Sequence, residues 1–144
     1  MWGEILSCSL AIMTSNPAAF DARPLVIIVD DDSAVRGALK FALELEGFRV
    51  DTCESGEDLL ARQLPQSAAC LVIDQRLPGM DGLAALSRLR ERDNHLPALL
   101  ITSHPQPALR AAASAAGVPI VEKPLMGQTL RDSIRKALEH ASSG

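Results

Sequence analysis

The sequence has no surplus of positive charge. Fourteen Lys and Arg stand against eighteen Asp and Glu, a net charge of −4, and the basic runs are short and mixed. The electrostatic footprint of a nucleic-acid binder is missing, so direct nucleic-acid binding by this chain is not expected. Long apolar runs are missing too, and none approaches the roughly 18 residues of a membrane span. The apolar start MWGEILSCSLAIM carries no Lys or Arg and its first charge is Glu4, whereas a secretory signal needs a basic start. Cysteine is scarce. Cys8, Cys53 and Cys70 show no metal-ligand spacing, and an odd number, two of them in apolar surroundings, suits reduced and buried thiols. These absences point to a cytoplasmic protein without membrane contact. With 47% hydrophobic and 22% charged residues, 9 Gly and 9 Pro in 144 positions, collagen-like, disordered and disulfide-scaffold classes drop out and one globular domain fits.

Three segments are expected: an extension of flexible character over 1–23, a folded domain over 24–141, and a tail over 142–144. The stretch 14–24 is rich in small residues and prolines without a sustained period, and Met13 is an alternative start. From Leu25 a continuous apolar run to Val29 ends in Asp30-Asp31-Asp32, as a strand buried on both faces would. Over 33–46, Val35, Leu39, Ala42 and Leu45 or Glu46 recur at helical spacing, with Gly47 as the stop. Strands are expected at 48–53, 69–74, 98–102 and 119–122, and helices at 56–63, 82–92, 107–116 and 128–141. Asp32, Ser33, Ser55 and Asp81 are candidate helix caps or turn residues. Alternation of five strands with five helices implies right-handed crossovers and a parallel sheet covered on both faces.

Ligands of such sheets sit outside the carboxyl ends of the strands, at the switch point. The residues found there are Asp30 and Asp31, Asp74, Thr102 and Lys123. Three carboxylates at one rim repel each other without a cation. Hard oxygen ligands suit Mg²⁺, which takes a few carboxylates together with phosphate oxygens. Lys123 adds one positive charge and Thr102 a hydroxyl donor, and the set describes a phosphoryl-handling site with a nucleophile built in.

The segments Val29-Asp30-Asp31-Asp32, Val72-Ile73-Asp74-Gln75-Arg76-Leu77-Pro78-Gly79-Met80-Asp81-Gly82, Ile101-Thr102-Ser103 and Glu122-Lys123-Pro124-Leu125 stand in order and at a characteristic spacing. Together they resemble the receiver domains of two-component response regulators, over roughly 24–141. The resemblance implies a flavodoxin-like doubly wound (βα)5 sheet in strand order 2-1-3-4-5, as a single domain. It implies that Asp74 takes a phosphoryl group from a histidine kinase or phosphotransfer protein. It implies Mg²⁺ held by Asp30, Asp31, Asp74 and the backbone carbonyl of Arg76, with Thr102 and Lys123 on the phosphoryl oxygens and a cis Lys123-Pro124 bond. By the same resemblance, Arg76 and His104 either tune phosphate lifetime or are solvated loop residues. The product of such chemistry is a switch of a protein-interaction surface, with slow self-dephosphorylation rather than enzymatic turnover.

Two positions depart from that family. Ile120 stands where an aromatic is usual and Leu125 where Phe is common, and a chain with no Tyr and three Phe has no aromatic switch to offer there. Only Ser142, Ser143 and Gly144 follow Ala141, so the expectation is a stand-alone receiver, monomeric or a weak homodimer, whose output protein is another chain, with a fragment of a longer regulator as the alternative. Two alternatives stand beside it. One is a phosphorylation-independent interaction module on the same fold. The other is a Mg²⁺-dependent phosphohydrolase, which needs Thr or Val where Ala34 stands and usually a cap domain as well.

Overall fold

The computed structural model describes residues 22–125 and 127–143. Strands β1 (Leu25–Val29), β2 (Arg49–Cys53), β3 (Ala69–Asp74), β4 (Ala98–Thr102) and β5 (Ile120–Glu122) alternate with helices α1 (Ser33–Leu45), α2 (Gly56–Ala61), α3 (Gly82–Glu91), α4 (Pro107–Ala115) and α5 (Gly127–Ser143). The strands form one parallel sheet in the order β2-β1-β3-β4-β5. This is the expected flavodoxin-like topology. The expected extension lies outside the described residues apart from its last two, and Arg23 and Pro24 are tied to the sheet edge by the backbone and side chain of Arg49.

The unbroken apolar strands follow from burial on two sides. In β1, Leu25, Ile27 and Val29 enter one core while Val26 and Ile28 enter the other, because successive side chains leave opposite faces. The same split sends Leu71 and Ile73 of β3 one way and Cys70 and Val72 the other. Leu59 of α2, Leu86 and Leu89 of α3 and Ala113 of α4 close the first core; Leu43 of α1 and Leu130 and Ile134 of α5 close the second. Cys53 and Cys70 are buried, and burial pushes their thiols up to about 11 and about 12, so both stay protonated and inert at neutral pH.

The helix ends carry the expected signals. Asp32, Ser55 and Asp81 cap α1, α2 and α3 by accepting backbone N–H groups of the first turn at 2.8–3.3 Å. At the end of α1 the Gly47 N–H donates to Glu44 and the Phe48 N–H to Leu43, a paired closure that needs the left-handed φ of 96° at Gly47. That closure draws Phe48 out of β2, which begins at Arg49 rather than at 48. Helix α3 closes identically through Asp93 at φ 65°, an acid doing the work of glycine that the sequence did not advertise. Helix α2 stops at Ala61 rather than 63, with Arg62 already extended ahead of Pro65.

The residues that recur at helical spacing over 33–46 are unequally buried: Val35, Leu39 and Glu46 are half-buried, Ala42 and Leu45 are exposed, and Leu43, outside that set, is the buried residue. The helix is apolar on two sides, so a period of 3.6 fits either, and contact with Phe48 and Val50 selects the side of Leu43. The rejected side leaves Phe41 at 67% and Leu45 at 72% exposure, one turn apart.

Candidate functional site

Parallel strands deliver their carboxyl ends to one edge, and the site assembles there. Asp30 follows β1, Asp74 ends β3, Thr102 ends β4, and Lys123 follows β5. The switch point falls between β1 and β3, where α1 leaves for one face of the sheet and α3 for the other. The ligating oxygens of Asp30, Asp31 and Asp74 lie within 4.8 Å of one another. Asp30 and Asp74 are buried, at 4% and 6% exposure, while Asp31 faces solvent.

Each buried acid is held by its own loop. Asp30 Oδ1 accepts the Asp32 N–H at 2.9 Å, and the Asp30 carbonyl accepts the Arg36 guanidinium at 2.7 Å. Asp74 Oδ1 accepts the Arg76 N–H at 3.2 Å, and Oδ2 meets the Lys123 ammonium at 3.3 Å. The Lys123 N–H in turn donates to the Thr102 carbonyl at 2.9 Å, which ties β5 to β4 below the site. The Lys123-Pro124 peptide is cis, as the resemblance implied. Thr102 is buried and its hydroxyl donates to the Ser103 carbonyl at 3.3 Å rather than to an acid. All the expected side chains therefore reach one rim. The structure pairs Lys123 with Asp74 directly, and leaves Thr102 turned aside.

Three negative charges face one ammonium, and the excess shows in Asp30. Its carboxyl is held above the usual carboxylate range, chiefly by burial, with the Asp74 and Asp31 charges adding and the Asp32 N–H and Lys123 opposing. A hard divalent cation fits such a rim, because it replaces water at oxygens that already crowd each other. The sign of the linkage is definite. A raised carboxyl contributes stability below its unfolded value, near pH 4, and that contribution is lost as pH rises through the folded value. Asp30→Asn is therefore expected to raise the melting temperature in EDTA at pH 7, with the gain shrinking toward pH 4. Added Mg²⁺ is expected to raise the melting temperature of the wild type and to leave the variant nearly unmoved. Melting curves across pH 4–8, with and without Mg²⁺, check both.

Sequence reasoning passed over three residues of this rim. Arg36 reaches back to the Asp30 carbonyl, a contact made by one turn of α1. Gln75 accepts the Leu83 N–H at 2.9 Å on its side-chain oxygen. Gly82 is packed so closely that a Cβ there would stand 2.6 Å from the Asp74 carbonyl oxygen. None of the three carries a local signal, since each contact joins segments that only the folded loop brings together. His104 holds a left-handed φ of 47° and is exposed, as is Arg76. Ile120 packs half-buried against the core on the α2, α3 and α4 side, and Leu125 against the core on the α1 and α5 side.

A doubly wound sheet with an acid trio, a hydroxyl and an ammonium at its switch point is the architecture of phosphorelay signalling domains. A family model described as the response regulator receiver domain matches residues 26–135, and the chain belongs to that family. The chain is 39% identical over 123 residues to the C4-dicarboxylate transport transcriptional regulatory protein DctD of Pseudomonas aeruginosa, covering 85% of this chain and 27% of that protein. To the transcriptional regulatory protein FixJ of Bradyrhizobium diazoefficiens it is 32% identical over 117 residues, covering 81% of this chain and 57% of FixJ. The chain thus spans about a quarter to a half of the length of these curated relatives. The crystal structure of FixJ-N superposes with a TM-score of 0.72 at 33% identity, covering 81% of this chain and 94% of that one. The response regulator StyR superposes with a TM-score of 0.77 at 33% identity, covering 84% and 62% of the two chains. Membership makes this a phosphorelay receiver domain; such domains are signalling switches, and their acidic pocket generally binds Mg²⁺. Among the described residues no helix is long and apolar enough to cross a membrane.

Proposed function

We propose that Asp74 accepts a phosphoryl group from a histidine kinase or phosphotransfer protein, and that the folded unit over 24–141 then switches the surface it offers to an output protein in the cytoplasm. The observation that carries this reading is the double placement of Asp74. Among the described residues it belongs to the acid trio, and its carboxylate also meets Lys123. A carboxylate oxygen of Asp74 attacks phosphorus, the bond from phosphorus to the donor's histidine nitrogen breaks, and the leaving imidazole takes up a proton. Mg²⁺ would be held by Asp30, Asp31, Asp74 and the Arg76 carbonyl, and would supply charge neutralisation for the carboxylates and the incoming phosphoryl oxygens.

The chain's own groups do the rest. Lys123 already stands at the Asp74 carboxylate and follows the negative charge onto the phosphoryl group. Thr102 exchanges the Ser103 carbonyl for a phosphoryl oxygen. Both shifts pull on the ends of β4 and β5. Because Ile120 and Leu125 flank that pull from opposite cores, the response here is aliphatic repacking on either side of β5, not an aromatic swing. Coupling of this kind amounts to about 1–3 kcal/mol, enough to change partner affinity several-fold.

Intact-mass spectrometry of the pure protein with acetyl phosphate tests the reading. One phosphoryl adduct is expected with Mg²⁺ and none with EDTA. Absence of an adduct together with absence of Mg²⁺ binding would turn the reading toward a phosphorylation-independent interaction module.

The donor's approach can be tested separately. Helix α1 starts at the acid rim, and its outer side carries Phe41 and Leu45, the large apolar residues left exposed among the described residues. These side chains lie about 12 and 18 Å along α1 from its rim end, within reach of a protein donor seated over the rim and out of reach of a small one. Phe41→Ser with Leu45→Ser is expected to slow transfer from a phosphorylated histidine kinase or phosphotransfer protein at least tenfold. The rate with acetyl phosphate is expected to stay within twofold of wild type.

A further inference from the structure

The loop that leaves the acceptor strand is closed into a ring by one residue. Gln75 directly follows Asp74 and is bonded from three directions. Its N–H donates to the Ile101 carbonyl of β4 at 2.9 Å, and its own carbonyl accepts the Gly82 N–H at 3.1 Å. Its side-chain oxygen accepts the Leu83 N–H at 2.9 Å. Gly82 and Leu83 open α3, so both N–H groups belong to the first turn, which has no intrahelical carbonyl to serve it. Asp81 satisfies the next one, at Ala84. A helix start is thus capped from two places, once locally by Asp81 and once across the loop by Gln75.

That cross-loop bond has a consequence for the site. Residues 76–81 run out from Gln75 and return to Gly82, and the neck of this ring is the pair of bonds between residue 75 and residues 82 and 83. The ring bears the Arg76 N–H that holds Asp74 Oδ1 and, in the same residue, the Arg76 carbonyl. The start of α3 is also seated flush on the acceptor, since the space beside the Gly82 Cα is filled by the Asp74 carbonyl, Ile73 and Leu100. A change in the neck therefore moves the backbone that meets the Asp74 carboxylate.

Resting on the phosphoryl-acceptor reading above, we propose that Gln75 is a positioning residue: through the Leu83 N–H it holds the 76–81 ring in the geometry in which the Arg76 backbone serves Asp74 and the divalent cation. Its side-chain oxygen bonds the Leu83 N–H, not a group of the acid trio. Without its oxygen the Leu83 N–H turns to water, the ring samples wider conformations, and ordering the ring weakens each binding event at the rim.

The test compares wild type with Gln75→Leu, Gln75→Asn and Gln75→Glu, all well below their melting temperatures. Leu is of similar size without an acceptor, Asn keeps the amide but falls short of Leu83, and Glu keeps the accepting oxygen. The readouts are amide exchange at Leu83, the Mg²⁺ dissociation constant, and the rate of adduct formation with acetyl phosphate across Mg²⁺ concentration. Leu and Asn are expected to expose Leu83 and weaken Mg²⁺ about fivefold to tenfold, the reach of one lost hydrogen bond. Their adduct rate is expected to fall at low Mg²⁺ and recover when Mg²⁺ is saturating, while Glu keeps Leu83 protected and binds Mg²⁺ at least as tightly as wild type. If Leu83 opens in the Leu and Asn variants but Mg²⁺ affinity stays within twofold, Gln75 is only a helix cap and the proposal is overturned. A wild type that forms no adduct in the same series counts against the acceptor reading instead, and the Mg²⁺ and exchange data still decide the role of Gln75.

Discussion

Asp74→Asn is expected to abolish the phosphoryl adduct completely while leaving the fold intact. An amide oxygen at this position keeps the volume and can still accept the Arg76 N–H, but it is a poor nucleophile toward phosphorus. The change in stability is expected to be small because opposing terms are removed together. The ion pair with Lys123 is lost, and Lys123 is about one-third exposed, so water takes over its solvation. At the same time the repulsion that Asp74 exerts on Asp30 disappears. The melting temperature in EDTA should therefore stay close to that of wild type, and it should respond less to Mg²⁺ because one of three carboxylates is gone. Intact-mass spectrometry and paired melting curves read both outcomes. Undiminished phosphorylation of the variant would sink the assignment of Asp74 as acceptor.

The features legible in the sequence were those with a local cause. Burial on both faces forces strands such as Leu25–Val29 to be apolar throughout, and such runs cannot be mistaken for surface. A cap has to be a residue like Asp32, Ser55 or Asp81, and a reversed backbone at a helix end favours a glycine like Gly47. The acid rim was legible for a related reason: parallel strands must end together, so the residues at their ends must meet. What stayed hidden depends on contacts that no residue pattern marks, even where the partners are near in sequence. Helix α1 offers two apolar sides, and contact with Phe48, just ahead of β2, and Val50 of β2 decides that Leu43 faces in and Leu45 out. Asp93 reverses the chain after α3 without being glycine, as paired backbone bonds hold it there. Gln75 and Arg36 read as ordinary polar residues until the loops bring Leu83 and the Asp30 carbonyl to them.

Gly82→Ala is expected to cause the largest loss of stability of any single methyl group added near the site. The backbone at Gly82 is not left-handed, so the requirement is for space and not for φ. An added Cβ would lie 2.6 Å from the Asp74 carbonyl oxygen, 2.9 Å from Ile73 Cγ2 and 3.0 Å from Leu100 Cδ1. All three belong to the sheet or its core, and none is the free end of a flexible side chain. Either α3 must lift or the end of β3 must yield. Overpacking of this kind costs about 2–3 kcal/mol, and for a domain of this size the melting temperature should fall by roughly 10 °C. Gly47→Ala supplies the contrast. It meets nothing within 4 Å and strains only a φ of 96° far from the rim, so its cost should be about 1 kcal/mol. The decisive comparison is the adduct rate, measured for both variants at a temperature where each is folded. Gly82→Ala should slow phosphorylation several-fold, because the displaced atoms include the backbone of the acceptor itself, while Gly47→Ala should leave the rate unchanged. Equal rates in the two variants would mean that α3 absorbs the methyl group by lifting, and that Asp74 is anchored by β1 and β4 alone.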